Sequence, residues 1–357
     1  LKKALIAMSG GVDSSVAAFL MKKAGYECVG CTMKLYNNED AGIDRGKTCC
    51  SLDDVVDARS VAYKMDMPFY VFNFTSDFKE KVIKKFVDSY LHGITPNPCI
   101  DCNRYMKFDK LYDRAQILEC DYIVTGHYAR IEFDGEKYLL KKAVDDTKDQ
   151  SYVLYSLTQE QLARTLFPLG ELQKSQTRKI AEENGFINAD KPDSQDICFV
   201  PDGDYAKVIE EQTGEKSVGG DFLDKSSGKV VGKHKGIIHY TLGQRKGLGI
   251  ASTEPYFVCK IDVANNAVIL GRSDDLFSTE VLAEDFNWIS GEAPKTEIKC
   301  KAKIRYRQKE QPATVLPLGD DKVKIIFDDP QRAVTPGQAA VLYDGDTVLG
   351  GGVIVLE

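Results

Sequence analysis

No uncharged apolar run of about 18 residues occurs in the 357-residue chain, which excludes a membrane-spanning helix and a membrane partner. Positive charge is not in excess either: Lys+Arg 47 against Asp+Glu 54 leaves a net charge of −7. A nucleic-acid partner would therefore need a local basic surface rather than a global field. Histidine is scarce, and His92, His234 and His239 share no metal-ligand spacing with the cysteines. The 10 cysteines are too sparse for a disulfide scaffold in a chain of this length. Hydrophobic residues at 43% and charged residues at 28% exclude wholesale disorder. The opening Leu1-Lys2-Lys3 and the apolar stretch behind it mimic a signal peptide. Gly10-Gly11 and Asp13 interrupt that stretch, and a soluble, cytoplasmic protein is expected.

What is present is alternation. Ala4–Met8, Tyr26–Met33, Phe69–Phe74 and Asp121–Thr125 read as strands. Ser14–Ala24, the stretch from the Ser51/Asp54 cap to about Met65, and Ser76–Leu91 read as helices. Strands alternating with helices predict an α/β fold with a doubly wound parallel sheet. Past Pro201, glycines such as Gly228, Gly232, Gly243 and Gly247 punctuate short β-like runs. From about Phe277 the alternating runs Glu297–Gln308, Lys322–Phe327 and Val348–Leu356 predict an all-β module. Three domains are expected, over 1–200, 201–276 and 277–357.

Ser9-Gly10-Gly11-Val12-Asp13-Ser14-Ser15 lies between the first strand and the first helix. Its glycines permit a tight turn and close backbone approach, and the helix start offers N–H groups to an anion. This loop carries no Gly-Lys-Ser/Thr, so it is not the usual NTPase loop, and no G-x-G-x-x-G supports a dinucleotide site.

The cysteines fall into distinct settings. Cys28 and Cys31 sit three apart on a predicted buried strand, which places them on opposite faces as small core residues. Cys99 and Cys102 form a second C-x-x-C in Thr95-Pro96-Asn97-Pro98-Cys99-Ile100-Asp101-Cys102-Asn103, where two prolines predict a loop. On a loop such a pair suits redox, metal or nucleophilic chemistry. Cys49-Cys50 stand near a helix start, incidental or functional. Cys198 stands in a polar stretch, with core and loop readings both open.

Taken together, Ser9–Ser14, Asn97–Asn103, Thr125–Tyr128, Lys148–Tyr152, Asp193–Phe199 and Tyr240–Gly249 occur in the order found in bacterial tRNA 2-thiouridylases. The chain resembles that family, a branch of the ATP pyrophosphatases, over essentially its full length. The resemblance implies a pyrophosphatase domain, a small central domain and a C-terminal β-barrel. It also implies use of ATP with Mg²⁺, adenylation of the C2 oxygen of a wobble uridine in tRNA, and replacement of that oxygen by sulfur. By the same resemblance Cys198 carries a persulfide, and Cys102 is the second thiol, releasing the sulfur or closing a transient disulfide with Cys198. Ala7, Met8, Ser9, Gly10, Gly11, Val12, Asp13, Ser14, Met33 and Gly126 match ATP positions. Asn97, Pro98 and Cys99 match the part facing the target base. His127, Lys148, Asp149, Gln150, Arg305, Tyr306, Arg307 and Gln338 match tRNA-contacting positions. A sulfur-relay protein or desulfurase is implied as the donor.

One departure stands out. Described members carry Asp at position 99, and a thiol does not replace a carboxylate as proton carrier. Asp101 is a candidate stand-in. Cys99 also creates a three-thiol set with Cys102 and Cys198, suited to a [4Fe–4S] cluster of the kind found in related thiolases. Persulfide and cluster routes both remain open on the sequence.

Lys299, Lys301, Lys303, Arg305, Arg307 and Lys309 occupy alternate positions. On one continuous strand all six would share a face and track phosphates, with Tyr306 either inward core or a stacking partner and alternation favouring core. Two rival functions are a pyrophosphatase acting on a small amine substrate and an RNA-binding module without catalysis. The first leaves the loop cysteines unexplained, and the intact Ser9–Ser14 loop argues against the second.

Overall fold

The computed structural model describes residues 1–37, 52–193, 197–200, 202–319 and 321–356. Cys49-Cys50 and Ser194–Asp196 lie outside them.

The first domain is built on β1 (Lys3–Ala7), β2 (Glu27–Lys34), β3 (Phe69–Asn73), β4 (Tyr122–Val124) and β7 (Thr165–Leu166). They form a parallel sheet in the order β3-β2-β1-β4-β7. Short apolar strands such as Ala4-Leu5-Ile6, wholly buried, suit a sheet covered on both faces. Cys28 and Cys31 confirm the two-sided burial: one packs into the cluster with Val16 and Ala62, the other into that with Leu111 and Cys120. The chain leaves β1 toward β2 on one side and reaches β4 on the other. That reversal opens a crevice at the carboxyl ends of β1 and β4, where such sheets hold their ligands.

The turn at Asp134-Gly135 closes a hairpin of β5 (Ala129–Phe133) and β6 (Tyr138–Lys142). Asp134 accepts from the amides of Glu136 and Lys137, and Gly135 takes φ +104°. Rather than joining the parallel sheet, this hairpin docks on the C-terminal module, with Lys141 opposite Thr347. Arg130 and Lys141 both pair with Asp346 at that seam.

The central segment holds β8 (Gly220–Asp224), β9 (Val230–His234), β10 (Phe257–Asp262) and β11 (Ala267–Gly271), in the order β10-β11-β8-β9. Phe222, Tyr240 and Val258 form its core. The last six strands are β12 (Phe277–Trp288), β13 (Ile298–Lys303), β14 (Gln311–Pro317), β15 (Val323–Arg332), β16 (Ala339–Asp344) and β17 (Thr347–Val355). They run β12-β15-β14-β13-β16-β17, and β17 pairs back to β12, closing a barrel around Val315, Ile325 and Leu342. Closure leaves no open edge.

The six-cation ladder expected over 299–309 does not form. β13 ends at Lys303, and the chain turns over residues 304–308, so Arg305, Arg307 and Lys309 leave the strand and its alternation. Lys303 itself is 7% exposed, its ammonium 5.4 Å from the Tyr152 ring centre and 5.6 Å from that of Tyr343. Only Lys299 and Lys301 stay exposed on the strand. Tyr306 is likewise not turned inward: it is 39% exposed on the turn. Among the described residues no helix is long and apolar enough to cross a membrane.

Candidate functional site

The phosphate loop sits at the crevice. Ser9 N donates to Ser14 Oγ at 3.2 Å, and Ser14 Oγ donates to Gly11 O at 3.0 Å, which folds the loop onto the start of helix Val12–Lys23. No side chain caps that helix at Gly11, so first-turn N–H groups remain for an anion. Gly10 takes φ +78°, and a Cβ there would collide with the Asp54 carbonyl. Asn188 Nδ2 donates to Gly10 O and Ser15 Oγ, each at 2.9 Å, buttressing the turn from behind. Lys191 braces it further through Asp54 and Asp57. Ala7, Met8, Met33 and Gly126 gather at the same carboxyl edge: Met8 N donates to Cys31 O, and Gly126 abuts Asp13 and Ser14.

The cysteine segment corrects the loop expected from its prolines. Pro98–Asp101 is a helical turn, and π-helical turns continue over Cys102–Lys110. Pro98 stands at the helix start, where its missing N–H costs nothing and its fixed φ suits the helix. Asn97 caps it, its Oδ1 accepting from Cys99 N at 3.2 Å. Gln338 Nε2, from the barrel, donates to Thr95 O at 2.9 Å and Thr95 N donates to Pro336 O, so the barrel sets the entry to this helix.

Cys102 and Cys198 are half-buried and border one apolar cluster, with Phe78, Phe86 and Phe199 at its centre. Tyr36 donates to Cys198 O at 2.6 Å. Cys99 is exposed on the side of Tyr306, whose phenol is pushed up to about 12 by burial and then by Asp149 and Cys99. Among the described residues no three His, Cys, Asp or Glu side chains gather as a metal-binding group. A [4Fe–4S] cluster on Cys99, Cys102 and Cys198 thus finds no support among the described residues. Asp101 is 6% exposed and paired with Lys85 at 2.7 Å; burial lifts its carboxyl above the ordinary range despite Lys85. A proton-carrying role there would need that pair to open.

The remaining expected tRNA positions are placed as follows. Lys148-Asp149-Gln150 is a pinned turn: Asp149 accepts from the amides of Ala143 and Ser151, and Gln150 exchanges hydrogen bonds with the Tyr128 backbone. Tyr306 Oη donates to Asp149 O at 3.2 Å, joining the barrel turn to it. Arg305 donates to Ala333 O and Thr335 Oγ1, while Arg307 is exposed. His127 is 7% exposed, 2.7 Å from Thr125 Oγ1 and packed against Phe108 and Phe167.

Lys174 and Arg178 escaped the sequence reading. Lys174 Nζ lies 2.6 Å from Asp13 and 2.8 Å from Asp193, and Asp193 also takes Lys148 at 2.9 Å and Arg178 at 3.0 Å. Burial works to raise the Asp193 pKa, but hydrogen bonds from Lys174 and Lys148 outweigh it and hold it low. No spacing rule announces ion pairs between residues 161 positions apart.

Comparisons with known proteins follow this layout. Residues 2–202 match the family model described as tRNA methyl transferase HUP domain, 206–272 the PRC-barrel domain of that name, and 278–354 the aminomethyltransferase beta-barrel domain. The tRNA-specific 2-thiouridylase MnmA of Clostridioides difficile (strain 630) is 52% identical over 99% of this chain and 98% of its own. That of Acetivibrio thermocellus is 52% identical over 99% of each. Among solved structures, a 4-thiouridine synthetase–RNA complex with bound ATP aligns at TM-score 0.38 and 20% identity, over 59% of this chain and 53% of that one. With half its residues shared with curated members from end to end, the chain belongs to the tRNA-specific 2-thiouridylase family.

Proposed function

We propose that the chain is an ATP-dependent tRNA-uridine 2-sulfurtransferase. The observation that carries this reading is the joining of an anion-ready phosphate loop, the Cys102 helix and the Cys198 segment within one domain. A ring carbonyl oxygen is a very poor leaving group. Attack of the uridine C2 oxygen on the α-phosphorus of ATP expels pyrophosphate and makes that oxygen part of an AMP leaving group. The Gly10–Ser14 turn supplies backbone donors for the polyphosphate, and Mg²⁺ travels with the nucleotide.

A persulfide on Cys198 then attacks C2 with its terminal sulfur, and AMP departs. Cys102 thiolate attacks Cys198 Sγ; the S–S bond to the transferred sulfur breaks, leaving 2-thiouridine and a Cys102–Cys198 disulfide. An external thiol reductant reopens the disulfide, and a persulfide donor, a relay protein or desulfurase, reloads Cys198. The apolar cluster that both Cys102 and Cys198 border supports this route over the cluster route, with Cys99 on the barrel side. The tRNA would lie over Asn97–Cys99, the Lys148–Gln150 turn and Arg305–Arg307, with Gln338 holding the helix entry. A cytoplasmic setting follows from the substrate.

The test is pyrophosphate release from ATP with unmodified tRNA, compared with the same tRNA already thiolated at C2. Release only with the unmodified tRNA is expected; release independent of tRNA would favour a small-molecule substrate, and no release would favour an RNA-binding module.

A further inference from the structure

The Tyr240–Gly249 segment belongs to the central domain yet reaches the barrel. Gly243 N donates to Val258 O at 2.7 Å and Val258 N donates to Gln244 O at 3.0 Å, which ties the loop to β10. The Gln244 side chain fixes its tip, with Oε1 accepting from Thr241 N and Nε2 donating to Lys246 O, each at 3.0 Å. Gly243 takes φ +85°, and a Cβ there would stand 2.8 Å from Ala333 Cβ and 3.7 Å from Arg305 Nη2. Arg305 in turn donates to Ala333 O at 2.8 Å, so the loop and the barrel turn meet at one residue. Thr95 Oγ1, at the entry to the cysteine helix, lies 3.4 Å from Thr241 Oγ1.

That junction gathers positive charge. Arg245 and Lys246 are exposed at the loop tip, Arg332 is exposed beside Ala333, and Arg305 and Arg307 stand on the barrel turn. The Arg332 guanidinium lies 4.9 Å from the Phe257 ring centre, and burial together with the like charge of Arg332 lowers the Arg305 pKa. None of these five cations forms a salt bridge among the described residues. Glu254, which lines a cleft with Arg245, is taken by Arg272 at 3.6 Å. Like charges held together without a counter-charge repel, and an anion laid across them relieves that repulsion.

We propose that Arg245, Lys246 and Arg332 form a phosphate-binding site for the tRNA backbone, continuous with Arg305–Arg307 and supplied largely by the central domain. The inference rests on tRNA being the substrate, as read above. A lone exposed lysine is an ordinary solvated charge; here the loop is pinned at both Gly243 and Gln244, so its cations are held in place before RNA arrives. Phosphate contacts fix register and carry no sequence information, so the site positions the tRNA rather than selecting it. Three separate segments thus build the local basic surface that an acidic chain needs and that the single strand over 299–309 does not provide.

The test measures binding of unmodified tRNA to the full chain over a range of KCl concentrations. The double variant Arg245→Gln, Lys246→Gln should flatten the slope of log affinity against log salt by about 1.5, from ~0.7–0.9 per lost phosphate contact. The double variant Lys22→Gln, Lys23→Gln makes the same change in net charge at the end of helix Val12–Lys23 remote from the phosphate loop, and should keep the wild-type slope. A wild-type slope in the first variant, or an equal flattening in the second, overturns the proposal. Should the first variant fail to fold by its thermal melt, Arg332→Gln must flatten the slope by about half as much, and an unchanged slope there also overturns it. Wild type that binds tRNA while the variants match its slope sinks this inference alone; wild type that binds no tRNA sinks the functional reading with it.

Discussion

A Cβ placed on Gly126 would come within 2.8 Å of the Ser14 amide nitrogen, so the end of β4 and the phosphate loop are packed backbone to backbone. The contact closes one wall of the crevice at the strand-order reversal and leaves no room for a side chain.

Gly126→Ala therefore forces the loop outward. Overpacking of this kind costs ~1–3 kcal/mol. The KM for ATP is expected to rise about tenfold, the equivalent of ~1.4 kcal/mol, while the thermal midpoint falls by only a few degrees. Steady-state pyrophosphate release at varied ATP checks it; an unchanged KM would show that the loop tolerates displacement.

Asn97→Ala removes the cap of the cysteine helix, a change worth ~0.5–2 kcal/mol. Faster hydrogen exchange at the Cys99 amide and slower thiouridine formation are expected, with ATP binding unaltered. Asn97→Ser, which can cap, should recover the exchange protection. Equal exchange in Asn97→Ala and wild type would mean the barrel contact through Gln338 alone holds the helix.

His127 is buried and neutral, its pKa held well below 6.5 by burial and then by Lys107. Below about pH 6.5 the unfolded chain takes up a proton on this ring that the folded chain refuses. Stability is therefore lost as pH falls, by up to ~1.4 kcal/mol per pH unit from this group. His234 and His239, also lowered by burial, act in the same direction. Asp101, raised by burial, acts oppositely at more acidic pH, where the folded state keeps its proton longer. His127→Gln should show a shallower decline in urea midpoint between about pH 7 and about pH 5.5. An identical decline in both proteins would place the effect on the other histidines.

Much of the first domain could be read from sequence because its signals are local. The strand–helix alternation, the Ser9–Ser14 turn and the core placement of Cys28 and Cys31 each depend on a few neighbouring residues. Pro98 misled because proline breaks a helix interior but starts a helix well, and only the Asn97 cap decides between the two. The cation ladder failed for a different reason. Alternation marks a strand face only while the strand lasts, and β13 ends at Lys303. Lys174, Asn188 and Lys191 reach the phosphate loop from far along the chain, so no local pattern could flag them.

Cys99→Ser bears on the route of sulfur. With Cys99 on the Tyr306 side and no gathered ligand set among the described residues, the variant should keep thiouridine formation within about threefold of wild type, a loss of under ~0.7 kcal/mol. Iron and acid-labile sulfide are assayed on both proteins purified anaerobically. Iron near four per chain in wild type, lost together with activity in Cys99→Ser, would establish the cluster instead.

The most direct measurement is 2-thiouridine formed per enzyme from unmodified tRNA, ATP and a cysteine desulfurase with cysteine, read by nucleoside mass spectrometry. Wild type is expected to turn over, while Cys198→Ser and Cys102→Ser release pyrophosphate but form no thiouridine. Thiouridine at the wild-type rate in Cys198→Ser, or none in wild type with a competent donor, would contradict sulfur transfer through Cys198.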